Sequence, residues 1–293
     1  MSLAPIVLFI YNRLDHTRQT IDALQKNALS SESELFIYSD AAKDDSAEQS
    51  VKEIREYIQT VDGFKKITII EREKNWGLAN SIIDGVTRIV NEYGKVIVLE
   101  DDLVTSPYFL KFMNEALDFY AQEKKVWHIS GWNYPVKKEG EADVFLWRVM
   151  NCWGWATWAD RWKYYEKDIE KTVGTFNRRE IRAFNLDGVE DFWSQVLANQ
   201  KGKIDTWAIF WYATIFKHGG LCVNPVHTLV DNIGFDGSGE HCGKKKTYCD
   251  SVNHAQDFTF ETVIEESPRY LLSIQKHLNK GIRHKLKRLM VWR

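Results

Sequence analysis

The chain has 293 residues, of which 44% are hydrophobic and 27% charged, with a formal net charge of −2. That profile is of a globular protein long enough to bury a sizeable core, without the basic excess of a nucleic-acid binder. No apolar run reaches the roughly 18–20 residues that span a bilayer, and no amino-terminal signal peptide is visible. Cys152, Cys222, Cys242 and Cys249 form neither a CxxC pair nor a zinc-ligand spacing, so reduced thiols in a cytoplasmic setting are expected, with a Cys242–Cys249 link left open. The oddity is aromatic content, 12 Trp and 15 Phe. Most should be core, while those in loops offer flat faces on which a base or a sugar stacks.

In chain order, Ile6–Tyr11 reads as a buried strand and Asp15–Asn27 as a helix with Asp15 as N-cap. Leu35–Ser39 is a second strand ending at Asp40. Glu48–Thr60 is a helix with Val51, Ile54 and Ile58 on one face. Ile67–Ile70 is a third strand, followed by Asn75-Trp76-Gly77-Leu78 and a helix to about Val90. Val96–Leu99 is a fourth strand. A helix after Pro107 reaches about Glu123, and Val126–Ser130 is a fifth strand. Beyond it come a turn at Gly131–Pro135, a strand at Phe145–Val149 and an aromatic helix opening at Trp153 and reaching Trp162. Glu190–Asn199 and Trp207–Lys217 follow as helices, the second closed by Gly219-Gly220. Leu221–Val223 is a short strand, and Asn232–Tyr248 reads as a loop. Repeated βα units of this length predict an α/β, doubly wound, mostly parallel sheet. The expected organisation is one domain over 1–250, with a donor half of about 1–105 and an aromatic-rich acceptor half of about 106–250. A helical extension with a basic amphipathic end occupies 251–293.

The chemistry gathers where strands end. Val96-Ile97-Val98-Leu99 stops on Glu100-Asp101-Asp102, and open α/β sheets place ligands outside the carboxyl ends of their strands. Three adjacent acids repel one another, and a hard divalent cation relieves that repulsion while taking its other ligands from water and phosphates. The plain alternative is a solvated acidic loop. Asn12-Arg13, Asp40 and Asn75-Trp76 also follow strands and should line the same edge. Arg13 can lay its planar guanidinium along a nucleotide, or pair with Asp15. Asp40 fits an acceptor for a base N–H or a ribose hydroxyl, or a helix cap. Trp76 is either core or a donor contact. Trp153, Trp155 and Trp158 have helical spacing and read as core, with a sugar platform as the alternative.

In order and spacing, Phe9–Arg13, Ser39-Asp40, Asn75–Ala79, Val98–Leu103, Ile129–Asn133, Gly154-Trp155, Asp205-Thr206-Trp207, Val223–Pro225 and Gly239-Glu240-His241 form a pattern. It resembles the GT-A-fold (nucleotide-diphospho-sugar transferase fold) glycosyltransferases, and within them the N-acetylglucosaminyltransferase I-like enzymes and their bacterial relatives. The resemblance implies that Asp102 is the ligand of Mn²⁺ or Mg²⁺ and that Asp101 and Glu100 contact ribose and donor sugar. It also implies an arginine at Arg13 and a histidine at His241 near the donor. Asp205, just before Trp207, matches the family's catalytic base; Asp191 is the competing match, and Asp205 also suits a helix N-cap. The implied activity is metal-dependent, inverting transfer from a nucleotide-sugar, a UDP-sugar foremost, to a carbohydrate or glycolipid in surface polysaccharide synthesis. A sugar nucleotidyltransferase would carry a glycine-rich phosphate loop, yet Leu8–Leu14 has no glycine. A non-catalytic carbohydrate-binding protein would account for the aromatic rings but not for the acids. Leu278–Arg293 has six Lys or Arg and no acid, with Ile282, Leu286, Leu289 and Met290 at helical spacing. Both a membrane-surface anchor and a helix docked on the domain fit it.

Overall fold

Short β-branched runs that are apolar on both faces suit central strands of a parallel sheet, and here they form its middle. The computed structural model describes residues 2–237 and 252–290, the stretch from 280 as helix backbone alone. In chain order the elements are β1 (Ile6–Ile10), α1 (Leu14–Gln25), β2 (Glu34–Ser39), α2 (Glu48–Ile58), β3 (Lys66–Glu71), α3 (Gly77–Tyr93), β4 (Lys95–Glu100), β5 (Leu103–Thr105) and α4 (Phe109–Phe119). Then come β6 (Val126–Ser130), β7 (Val144–Trp147), β8 (Trp155–Trp158), α5 (Ala159–Trp162), α6 (Ile169–Thr175), α7 (Arg178–Phe184), α8 (Trp193–Gln200), α9 (Ala208–Lys217), β9 (Leu221–Pro225), β10 (Val230–Asn232) and α10 (Pro268–Met290).

Eight strands form one sheet in the order β3-β2-β1-β4-β8-β6-β9-β7. The first four are mutually parallel, β6 and β9 are parallel, and β8 and β7 run against their neighbours. This is the mostly parallel, doubly wound α/β sheet that the βα repeats predict. Alternate side chains face opposite layers. Phe9, Val98, Val86 and Trp211 pack on the α3–α9 side, whereas Leu8, Leu99, Ile21, Ile54 and Phe112 pack on the side of α1, α2 and α4.

Two local expectations are corrected. The Trp153–Trp162 stretch is not a helix throughout: Trp155–Trp158 is strand β8, and only Ala159–Trp162 is helical. Strand alternation explains it, because Trp155 enters one core layer while Ala156 and Trp158 enter the other. Asp15 is not the cap of α1; the helix starts at Leu14, Arg13 is the cap residue without a side-chain bond, and Asp15 lies in the first turn. A carboxylate there still complements the helix dipole.

The segment after the undescribed stretch straps the domain together. Tyr120 donates its hydroxyl to Glu261 O at 2.8 Å, and Phe258 and Phe260 pack on Phe112. Helix α10 then docks through Tyr270, Ile274 and Leu278, with Tyr270 stacked on Phe145 at 4.3 Å. No helix among the described residues is long and apolar enough to cross a membrane.

Candidate functional site

Because β3, β2, β1 and β4 are adjacent and parallel, their carboxyl ends share one edge. Phe9 sits level with Glu100, Ile10 with Ser39, and Ser39 with Glu71. Asn12-Arg13, Asp40, Asn75-Trp76 and the acidic triplet are therefore neighbours, although nearly ninety residues of chain separate the first from the last.

Arg13 and the triplet form the centre. Arg13 Nη2 donates to Asp101 Oδ1 and, at 2.9 Å, to Asp102 Oδ2, while Nε reaches Asp101 Oδ2 at 3.4 Å. Its Nη1 is buried without a hydrogen-bond partner. Burial works to lower the Arg13 pKa, but the charges and hydrogen bonds of Asp101 and Asp102 outweigh it and hold the group above its ordinary value. Glu100 is pushed up to about 8, first by burial and then by the charges of Asp102 and Asp101, against the pull of Arg13. Asp101 rises to about 6, again by burial first, with Arg13 opposing. One guanidinium thus leaves negative charge to spare, which is the condition a divalent cation relieves.

The donor set suits a hard ion such as Mn²⁺ or Mg²⁺, since it offers carboxylate oxygens. Among the described residues no group of three or more His, Cys, Asp or Glu could by itself enclose a metal.

The other strand-end residues are tied to backbone. Asp40, 6% exposed, accepts from Trp76 N at 2.9 Å, from Gly77 N at 2.9 Å and from Ala41 N at 3.0 Å. It caps the start of α3 from across the sheet edge, satisfying N–H groups that a helix leaves unpaired. Asn75 Nδ2 donates to Ala41 O at 2.7 Å. The Trp76 ring lies 4.0 Å from the Arg72 guanidinium, which also sits over Tyr38 and pairs with Asp84. Asn12 is half-buried just beyond β1.

Sequence reasoning missed a strap over the triplet. Strand β10 pairs antiparallel with β5, and the next residue, Ile233, donates its N–H to Asp102 O at 2.9 Å. A Cβ on Gly234 would collide with Asp102 Oδ2 and come within 3.2 Å of Arg13 Nη1. Asp236 reaches His16 Nε2 at 3.2 Å, and Thr20 Oγ1 donates to Asp101 O at 2.8 Å. The one signal was Asn232-Ile233-Gly234, a turn closed by Gly234 N donating to Asn232 Oδ1.

Asp205 and Asp191 are not brought into contact with the triplet among the described residues. Asp205 is exposed just before α9 and pairs with Lys167; it does not cap the helix. Asp191 Oδ1 accepts from Ser194 N at 3.3 Å in the first turn of α8. His241 and the Cys242–Cys249 pair lie outside the described residues.

A family model described as "Glycosyl transferase family 2" matches residues 6–186. The matched span takes in every strand-end residue above and stops short of Asp191, Asp205 and His241. No curated protein matches. Among solved structures, similarity is found to a mannosyltransferase, PcManGT from Pyrobaculum calidifontis, in complex with GDP-Man and Mn²⁺, at 11% identity and a TM-score of 0.38 over 74% of this chain and 70% of that one. The galactosyltransferase LgtC, in complex with donor and acceptor sugar analogues, is 10% identical with a TM-score of 0.39, over 74% and 72%. TarS of S. aureus is 14% identical with a TM-score of 0.33 over 48% of this chain, which spans only 24% of TarS.

Proposed function

The chain belongs to glycosyl transferase family 2 and is a glycosyltransferase; from that premise we propose that it is metal-dependent and inverting, moving a sugar from a nucleotide-diphosphate sugar, a UDP-sugar foremost, to a carbohydrate or glycolipid acceptor. The observation that carries this reading is the acidic triplet at the end of β4, with the Glu100 and Asp101 carboxyl groups forced upward in pKa and a single arginine paired with Asp101 and Asp102. Asp102 would hold Mn²⁺ or Mg²⁺, which when bound offsets the charge growing on the departing nucleoside diphosphate. Arg13, with Nη1 still unpaired, is suited to a phosphate oxygen. Glu100 and Asp101 would face ribose and sugar, and the edge formed by Asn12, Asp40, Asn75 and Trp76 would take the nucleoside. Asp40 acts there through the backbone it caps rather than through a free carboxylate. The donor belongs to the half over 1–105 and the acceptor to 106–250, with 251–293 as an extension.

Asp205 is the proposed base. A single displacement needs one carboxylate to take the acceptor hydroxyl's proton, and Asp191 already accepts a helix N–H whereas Asp205 caps nothing. The kinship to N-acetylglucosaminyltransferase I-like enzymes and a part in surface polysaccharide synthesis belong to the same proposal, supported by the ordered motifs. So does a cytoplasmic location with 278–293 touching the inner membrane face, supported by its basic, acid-free sequence.

Calorimetry with Mn²⁺ and UDP, followed by turnover with nucleotide-sugars, tests the assignment. Asp102→Asn should lose Mn²⁺-dependent UDP binding with an unchanged circular-dichroism spectrum. Asp205→Ala should keep that binding and lose about 10²–10⁴ in turnover. Unchanged affinity in the first variant or unchanged turnover in the second rejects the corresponding role.

A further inference from the structure

Three tryptophans that look alike in sequence have different surroundings. Trp155 is fully buried and Trp158 nearly so, but Trp153 is half-buried and touches both core layers at the end of the sheet. Strand β8 pairs Trp155 with Val98 of β4, so Trp153, in the bend just before β8, lies at the end of the sheet where β4 runs out on the acidic triplet. On its other side Trp153 meets Phe235, the residue after the glycine that abuts Asp102. Trp153 therefore stands at the rim of the acidic site.

Its ring is held and yet, among the described residues, not covered by a parallel neighbour. Trp132 meets it at 4.6 Å and 71°, and Phe235 at 5.6 Å and 79°; both are perpendicular contacts. The turns carrying Trp132 and Trp153 are locked by Gly131 N donating to Gly154 O at 2.6 Å, with Phe109 and Val230 pressed against both glycines. The indole N–H of Trp153 makes no hydrogen bond among the described residues, whereas Trp127, Trp147 and Trp158 donate theirs within the protein. Asn133 Oδ1 and Asn151 Nδ2, in the same two turns, are also buried and unpaired. A rigid ring, a spare indole donor and unspent amide groups are what a pyranose needs: a C–H face to lie on and partners for its hydroxyls.

We propose that Trp153 is the platform of the acceptor subsite, with Trp132 and Phe235 as its walls, so that an acceptor pyranose stacked there presents a hydroxyl toward the acidic triplet. This rests on the transfer reaction proposed above and adds where the second substrate binds.

Saturation-transfer difference NMR with methyl β-D-galactopyranoside and methyl β-D-glucopyranoside as probes tests it. The wild-type chain should saturate H1, H3 and H5 of at least one probe. The signal should fall at least tenfold in Trp153→Ala and persist in Trp153→Phe, which keeps an aromatic face if the alanine variant fails to fold. Mn²⁺·UDP affinity, measured on the same samples, should stay the same in all three. No saturation in the wild type, or an equal signal in Trp153→Ala, overturns the subsite. Sugar saturation without any Mn²⁺·UDP binding would instead strike the nucleotide-sugar reading and leave Trp153 a sugar platform.

Discussion

Burial raises the pKa of Glu100 and Asp101 above the ordinary carboxyl range, and that has a measurable cost. A carboxyl whose pKa is higher in the folded than in the unfolded chain makes the native state bind more protons. Its contribution is complete below the unfolded value and is lost as pH rises through the folded one. For Glu100 that window runs from 4.5 to about 8, and for Asp101 from 3.8 to about 6. Melting temperature should therefore fall between pH 5 and pH 8.5. Glu100→Gln, which cannot ionise, should melt above the wild type at pH 8.5 and near it at pH 5; calorimetric scans showing the same difference at both values would refute this. The triplet and Arg13 were each legible in the sequence, because an apolar run ending on acids and an arginine one step past a strand are local patterns. Their pairing was not, since β1 and β4 become neighbours only through the sheet order. Asp40 shows the same limit: the helix it caps begins at Gly77, not in the segment that follows it.

Most secondary-structure elements of the donor half were legible, since β1 to β4 and their helices are long and strongly patterned. Strand β8 was not. Its tryptophans at 155 and 158 have helical spacing, and its partners β4 and β6 lie far off in sequence. Strands β5 and β10, three residues each, are too short to show a period. Helix α7 did carry a readable mark, the Asn177–Glu180 capping box. Strand β8 holds the two halves of the sheet together, and Trp155 anchors it, stacked on Trp207 at 5.0 Å and on His128 at 5.4 Å. Removing a buried tryptophan costs about 3–5 kcal/mol through lost transfer energy and the cavity left behind. Urea denaturation of Trp155→Ala should show a loss of that size; a loss below about 1 kcal/mol would mean that β8 is not the joint.

At the scale of the whole molecule, the last described element is a helix with two parts. Through Leu278, α10 belongs to the core. The helix continues to Met290, and the sequence from Lys280 on carries Arg283, Lys285, Lys287 and Arg288. Each basic residue near an anionic surface contributes about 1 kcal/mol. The full chain should pellet with phosphatidylglycerol vesicles at low salt, and a chain ending at residue 279 should stay in the supernatant; equal pelleting would remove the membrane from the proposal. The strand order has one more consequence, for the chain as it is made. With β1 to β4 assembled, β4 still presents an open edge, and its partner β8 is synthesised more than fifty residues later. An unpaired apolar edge templates wrong pairings between nascent chains. Between the emergence of Glu100 and that of Trp158, the ribosome-bound fragment is at its most prone to aggregate, and a pause in translation there would lengthen that exposure.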